Sequence, residues 1–276
     1  MSLCNLLEHS ICFSTPLRLT PSAWLEHIPF GMFLIDLLRP DLVVELGTHL
    51  GVSYCAFCQA VNDLKLNTQC YAIDTWQGDS QAGFYDTDVL MDLKKHHDPL
   101  YSSFSRLIQS TFDDALNNFK DGSIDLLHID GFHSYDEVKH DFESWLPRMS
   151  NRGVILFHDT HVREQDFGVW RLWEELKPEY PHFEFPHGFG LGVLGVGRKQ
   201  DQSMSKLFRE ITGSETILIQ DFFYNLGSRI TALREIQEFK DRERDLQQLW
   251  TVRLEQLYRL EGVKGVVKKA FTKLLF

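Results

Sequence analysis

The sequence predicts an α/β fold: a mainly parallel sheet with helices on both faces, followed by a C-terminal helical extension. Three observations carry this. Short β-rich apolar runs alternate with segments of helical spacing from residue 41 onward. A glycine-rich hairpin pattern follows near residue 190. The charge balance then reverses: residues 1–227 hold 17 Lys and Arg against 32 Asp and Glu, whereas 228–276 hold 11 against 7.

The runs DLVVELG (41–47), CYAID (70–74), FSRLIQ (104–109), IDLLHID (124–130) and GVILFHD (153–159) end mostly at Gly, Asp or Thr and read as strands. Between them, 51–61, a stretch around 89–97, 111–119 and 134–146 show helical spacing or length. Ser134 and Glu137 form the S-x-x-E pattern of a capping box, and Val138, Phe142 and Trp145 follow on one face. A further helix spans 169–176, with Pro178 and Pro181 beyond its end. HFEF, a turn at HGFG and GLGVLGVG then read as a hairpin closing the sheet. In such sheets ligands bind beyond the carboxyl ends of the strands, where the strand order reverses.

From about Ser214, the residues Ile230, Leu233, Ile236, Phe239, Leu246, Leu249, Trp250, Leu257 and Leu260 recur mostly at three- and four-residue steps, the pattern of a long helix. The wider step from 239 to 246 leaves two readings open, a helix packed on its own domain and a coiled-coil seam. The basic VKGVVKKAFTKLLF end fits docking on a membrane surface or partner, and equally a packed terminal helix. The predicted division is an α/β domain with an N-terminal helical segment over 1–212 and a helical tail over 213–276.

The 276 residues are 43% hydrophobic and 24% charged, enough to bury a full core. A net charge of −11 has the wrong sign for gripping phosphate backbones, so nucleic acid is not an expected partner. No apolar run approaches the roughly 18 residues of a membrane span, and the opening lacks a basic signal region. A cytoplasmic location is expected. Five cysteines form no disulfide framework, and Cys55 and Cys58 read as small residues in a packed helix rather than a metal or redox site.

Chemistry concentrates at strand ends. In VVELGTHLGVS a strand ends near Glu45, and Gly47 and Gly51 flank a turn that opens a helix, where a ligand can approach free N–H groups. Asp74 ends the next strand and can accept ribose hydroxyls or cap a helix. Asp113 in TFDDAL can meet an adenine edge or cap the helix that follows. IDLLHIDGFH and GVILFHDTH bring Asp130, His133, His158, Asp159 and His161 to neighbouring strand ends, a density of metal- and proton-competent groups that points to a functional site. His128 is expected to point into the sheet. Residues 76–103, rich in aromatics and histidines, suggest a substrate lid or a plain surface excursion.

Together, the E-x-G-x-x-x-G turn, the acidic end of the second strand and the HIDGxHxYxxVxxD run followed by VILFHDT resemble the class I S-adenosylmethionine-dependent methyltransferases. The nearest subgroup is the family 24 type associated with bacterial glycosyltransferases and sugar modification. The resemblance spans about residues 20–198 and takes in TWQGDSQAGFYD, FGVWRLWEEL and GLGVLGVG. It implies a Rossmann-like seven-stranded sheet of order 3-2-1-4-5-7-6 with the last strand antiparallel. Glu45, Gly47, Thr48 and Gly51 would line the methionine and ribose side, Asp74 the ribose hydroxyls and Asp113 the adenine, with Trp76 and Asp130 also at the cofactor.

More distantly, the pattern is similar to metal-dependent O-methyltransferases of macrolide sugars. That likeness implies a divalent ion on Asp130, His158 and Asp159, with His133 as general base. His158 stands where those enzymes carry a carboxylate, so it either weakens Mg²⁺ binding, favours Mn²⁺ or another transition metal, or is not a ligand. The expected activity is methyl transfer to a hydroxyl of a sugar, glycan or small natural product. The tail would pair two copies or associate with a glycosyltransferase. A metal-dependent hydrolase would leave Glu45, Gly47 and Asp74 without a role, a nicotinamide oxidoreductase requires another glycine spacing, and a non-catalytic cofactor-binding assembly module stays open.

Overall fold

The computed structural model describes residues 6–79, 83–85, 88–164, 166–200, 202–209 and 213–274; the side chains of 79, 203, 209, 257, 258 and 260–274 lie outside that description. Seven strands form one sheet: β1 (Leu42–Leu46), β2 (Gln69–Asp74), β3 (Ser105–Gln109), β4 (Ile124–Ile129), β5 (Met149–His158), β6 (His182–Phe185) and β7 (Leu191–Gly195). Their order is 3-2-1-4-5-7-6, as expected. β3, β2, β1, β4 and β5 pair in parallel, and β7 runs antiparallel to both β5 and β6.

Helices α1 (Ile28–Leu38), α2 (Val52–Asp63), α3 (Asp88–Tyr101), α4 (Phe112–Leu116), α5 (Tyr135–Trp145) and α6 (Val169–Leu176) connect and cover the strands. All residues of β4 and β7 are buried, as a sheet covered on both faces requires. The core on one face joins Phe142 and Trp145 of α5 and Trp173 of α6 to Phe157 of β5. Ser134 caps α5, its hydroxyl accepting from Glu137 N. α4 is shorter than the 111–119 stretch suggested, because Asn118 and Phe119 turn back onto Ala115 and Leu116 with three-residue hydrogen bonds. Cys55 and Cys58 are buried thiols on α2.

Two further helices follow, α7 (Gln202–Arg209) and α8 (Gly213–Leu274). The chain divides into two compact units, 1–231 and 232–276. The division lies beyond 212/213 because Ile219, Phe223 and Ile230 on the first turns of α8 are buried. The Phe223 ring meets Phe30 and Phe33 of α1 at 5.3 and 5.2 Å. From Ala232 on, α8 is a unit of its own, with large apolar side chains exposed at Ile236, Phe239, Leu246, Leu249 and Trp250. The apolar positions 257 and 260 and the basic terminal run fall among the undescribed side chains. Among the described residues no helix is long and apolar enough to cross a membrane.

The sheet positions the site. Successive parallel strands run outward from β1 through β2 to β3 on one side and through β4 to β5 on the other, so the order reverses between β1 and β4. The crevice at their carboxyl ends is where a ligand of an open α/β sheet binds.

Candidate active site

The turn after β1 is shaped by left-handed residues. Gly47 has φ +84° and Gly51 φ +72°, with His49 between them at φ +47°. A side chain at 47 would run into the Asp130 carbonyl, so the turn lies against the end of β4. Gly51 caps α2 without a side-chain hydrogen bond, leaving the first N–H groups of α2 facing outward.

Asp74, at the end of β2, ties this turn down. Its Oδ2 accepts from Thr48 N and His49 N at 2.9 and 2.8 Å, and its Oδ1 accepts from Trp76 N at 2.7 Å. Oδ1 keeps a lone pair for a ligand, since a carboxylate offers about four acceptor sites. Trp76 is buried and donates from Nε1 to His49 O at 3.0 Å, bracing the turn from behind.

A cleft of about 550 Å³ opens over these elements, within the usual range of small-molecule sites. Gly47, Thr48, Gly51, Asp74 and Asp113 line one part, and Asp130, His133, His158 and Asp159 line another. Thr48 is buried, and its Oγ1 has no hydrogen-bond partner among the described residues. Asp113 is exposed at the rim, 2.8 Å from His140 Nε2.

Glu45 and Trp76 are not among the lining side chains. Glu45 is fully buried, and His128, its neighbour across β1 and β4, lies 2.8 Å away through Nδ1. Trp24 Nε1 donates to His128 Nε2 at 3.1 Å. Indole N–H can only donate, so Nε2 is bare, the hydrogen sits on Nδ1 and Glu45 accepts it. Burial raises the Glu45 pKa, while His128 and Ser53 lower it. Direct cofactor contact by the Glu45 and Trp76 side chains therefore gives way to support of the turn and of β4.

The histidine and aspartate cluster forms as expected but with altered roles. His133 Nε2 lies 2.9 Å from Asp159 Oδ2 and 3.6 Å from Asp130 Oδ1. Burial lowers the His133 pKa, yet pairing with the two carboxylates carries it up to about 9. Burial would raise Asp130 and Asp159, but the facing imidazoles hold both below the usual carboxylate range. Phe167 stacks flat on the His133 ring at 4.7 Å and 6°.

His158 Nε2 lies 3.0 Å from Gly188 O, which only accepts, so that nitrogen carries hydrogen. Nδ1 lies 3.2 and 3.4 Å from Asp130 and Asp159 and donates as well. Despite burial, the two carboxylates hold the His158 pKa well above its ordinary value. The described side chains that converge for an ion are Asp130, His133 and Asp159, with ligand atoms within 4.8 Å of one another. The converging set differs from the expected Asp130, His158 and Asp159 in its histidine.

A family profile described as "Methyltransferase domain" matches residues 44–160, from β1 to the residue after Asp159.

An uncharacterized protein of Sinorhizobium fredii, y4gI, is 50% identical over 196 residues, which are 71% of this chain and 22% of that protein. The chain thus spans about a fifth of that relative. Among solved structures, a candidate caffeoyl-CoA O-methyltransferase from Staphylococcus aureus is 18% identical, with TM-score 0.49, over 71% of this chain and 93% of that one. An SAH-bound methyltransferase of Podospora anserina is 15% identical, with TM-score 0.47, over 69% and 86%.

The α/β unit is supported by residues outside the motifs. Pro21, Ser22 and Ala23 line its cleft from the N-terminal segment, where Ser22 Oγ accepts from Trp24 N. His27 Nε2 donates to Gly188 O at 3.1 Å, so His27 and His158 share one carbonyl. Burial, His158 and His187 push the His27 pKa well below its ordinary value, leaving it neutral. Asp141, the last residue of the HIDGxHxYxxVxxD run, lines the cleft from α5, and burial raises its pKa to about 7. The run itself was the only signal for Asp141 and FGVWRLWEEL the only one for Phe167; Trp24 and His27 had none.

Proposed function

We propose that this domain transfers a methyl group from S-adenosylmethionine to a hydroxyl oxygen, with a sugar as the acceptor class. One observation carries the reading: the Gly47–Gly51 turn, with its unpartnered Thr48 Oγ1, opens into the same cleft as the Asp130, His133 and Asp159 cluster. S-adenosylmethionine, when bound, supplies an electrophilic methyl group on a cationic sulfur. The residues present fit it. Gly47 and Gly51 permit close backbone approach, Thr48 Oγ1 and the remaining Asp74 lone pair accept or donate hydrogen bonds, and Asp113 stands at the rim.

A hydroxyl is a poor nucleophile while protonated, and this is what the cluster addresses. Only the deprotonated form of His133, a minor fraction below its pKa of about 9, takes the hydroxyl proton at Nε2, and Asp130 and Asp159 stabilise the imidazolium that forms. Phe167 and the Gly168 N–H, which donates to His133 O at 2.7 Å, hold the ring in place. Holding acceptor oxygen and methyl donor in line at about 3–3.5 Å contributes roughly 7–11 kcal/mol of barrier reduction. The need to activate a weakly acidic oxygen supports an alcohol over a thiol or amine; the likeness to sugar-modifying enzymes supports a sugar.

Asp130, His133 and Asp159 are also a donor set fit for Mg²⁺ or Mn²⁺, two carboxylate oxygens and one imidazole nitrogen. An ion there would acidify a bound hydroxyl, and His133 would be a ligand rather than the base. Calorimetry with S-adenosylhomocysteine and turnover of labelled cofactor on a panel of sugars test the reading. We expect His133→Ala to lose most turnover while binding S-adenosylhomocysteine as the parent does. Equal loss of both would remove His133 from the proton-transfer role. Turnover that survives excess chelator assigns His133 as base, and turnover that chelator abolishes assigns it to the ion.

A further inference from the structure

We infer that α8 beyond Ala232 pairs with the same segment of a second copy of this chain, as an antiparallel two-stranded coiled coil centred on Gln248. Its exposed apolar side chains are large: Ile236 is 51% exposed, Phe239 70%, Leu246 58% and Leu249 67%. Contiguous apolar surface of this kind marks an interaction face.

A single heptad frame accommodates the segment. With Ile236 at a and Phe239 at d, the a positions are 236, 243, 250 and 257, and the d positions are 239, 246, 253 and 260. The step from 239 to 246 is then one full heptad from d to d. Two charges enter the seam, Glu243 at a and Arg253 at d. Arg234, Arg242 and Arg244 pair with Glu238 or Asp241 along their own helix, whereas Glu243 and Arg253 have no ion-pair partner among the described residues.

These two charges choose the arrangement. A parallel, in-register pair would set Glu243 against Glu243 and Arg253 against Arg253, burying like charges together. In an antiparallel pair each a residue faces a d residue of the other copy. Centring on Gln248 sets Glu243 opposite Arg253 of the second copy, twice by symmetry, and Leu246 opposite Trp250. The same register sets Phe239 opposite position 257 and Ile236 opposite position 260, both leucine in the sequence. Leu249 falls beside the two-fold axis, next to Leu249 of the second copy. Sliding one heptad either way would set Glu243 against Leu246 or against position 260, leaving a charge facing an apolar residue. The centred register alone pairs charge with charge and apolar with apolar, as a self-complementary two-fold interface requires.

Sedimentation equilibrium of the full chain tests this. The parent should be a dimer. Glu243→Arg and Arg253→Glu, each alone, set like charges opposite in both layers and should weaken dimerisation at least about tenfold. Mixed in equal amounts, the two variants should dimerise like the parent, because the mixed pair again sets opposite charges in both layers. An unchanged melting temperature of the methyltransferase domain shows that each variant is folded. A parent that stays monomeric, single variants that dimerise like the parent as a parallel seam would allow, or a mixture that fails to recover would each overturn the inference.

Discussion

Gly47→Ala, compared with Gly122→Ala, isolates the closest backbone approach in the site. Both glycines have positive φ, +84° and +69°. An alanine at either position carries the left-handed strain of about 1–2 kcal/mol. At 122 nothing lies within 4 Å of an added Cβ, so strain is the whole cost. At 47 the Cβ would overlap the Asp130 carbonyl and lie 2.8 Å from Gly131 Cα, and these are backbone atoms that cannot swing aside. Overpacking of this kind adds about 1–3 kcal/mol, for a total of about 2–5 kcal/mol. At about 2–4 °C per kcal/mol for a unit of this size, Gly122→Ala should lower Tm by about 2–8 °C and Gly47→Ala by about 4–20 °C. Thermal denaturation of both variants, with calorimetry against S-adenosylhomocysteine, reads the two consequences. Gly47→Ala should also weaken ligand binding, because relief of the clash moves Asp130, while Gly122→Ala should leave binding intact. Equal melting losses would refute the close approach. A large melting loss at 47 with unchanged ligand affinity would refute the turn as a ligand cradle.

Asp141 makes stability depend on pH. Its folded pKa of about 7 stands above the usual 3.8 because of burial, so between these values the folded state keeps a proton that the unfolded state releases. Stability therefore falls as pH rises from about 4 to 7, by up to about 4 kcal/mol at 1.36 kcal/mol per pH unit. Asp141→Asn should match the parent near pH 4 and melt above it at pH 8; a difference independent of pH sinks the assignment. Trp24→Phe leaves His128 Nε2 buried without its donor, at a cost of about 1–3 kcal/mol. It should lower Tm and shift the His128 ring ¹⁵N resonances, and unchanged resonances would count against the Trp24, His128 and Glu45 chain.

What could be read before the structure was whatever depends on neighbours in sequence. β1, β4 and the second half of β5 show as apolar runs because both of their faces are covered, and Ser134 and Glu137 announce the start of α5 within four residues. The strand-end position of Asp74, Asp130, His133, His158 and Asp159 follows from the same local pattern, and all five line one cleft. Their jobs do not follow from it. His158 has the residue type of a metal ligand, and which of its nitrogens faces Asp130 and Asp159 is decided by the carbonyl of Gly188, supplied by a loop thirty residues further on, which takes Nε2. Glu45 has the place of a ligand contact at the end of β1, but His128, 83 residues away in sequence, holds its carboxylate, and Trp24, 104 residues from His128, sets the tautomer.

The same distinction separates the two halves of the chain. In the α/β unit a charge acquires its role from distant elements, so its spacing in sequence says little about its task. In α8 beyond Ala232, position in the heptad is set by spacing alone. Glu243 and Arg253 interrupt the apolar seam when one helix is considered. Set against a second, antiparallel copy, the same two residues become opposite charges in shared layers, and they specify direction and register where leucines alone would permit several. The apparent break in the apolar pattern is thus the feature that distinguishes one pairing from the others.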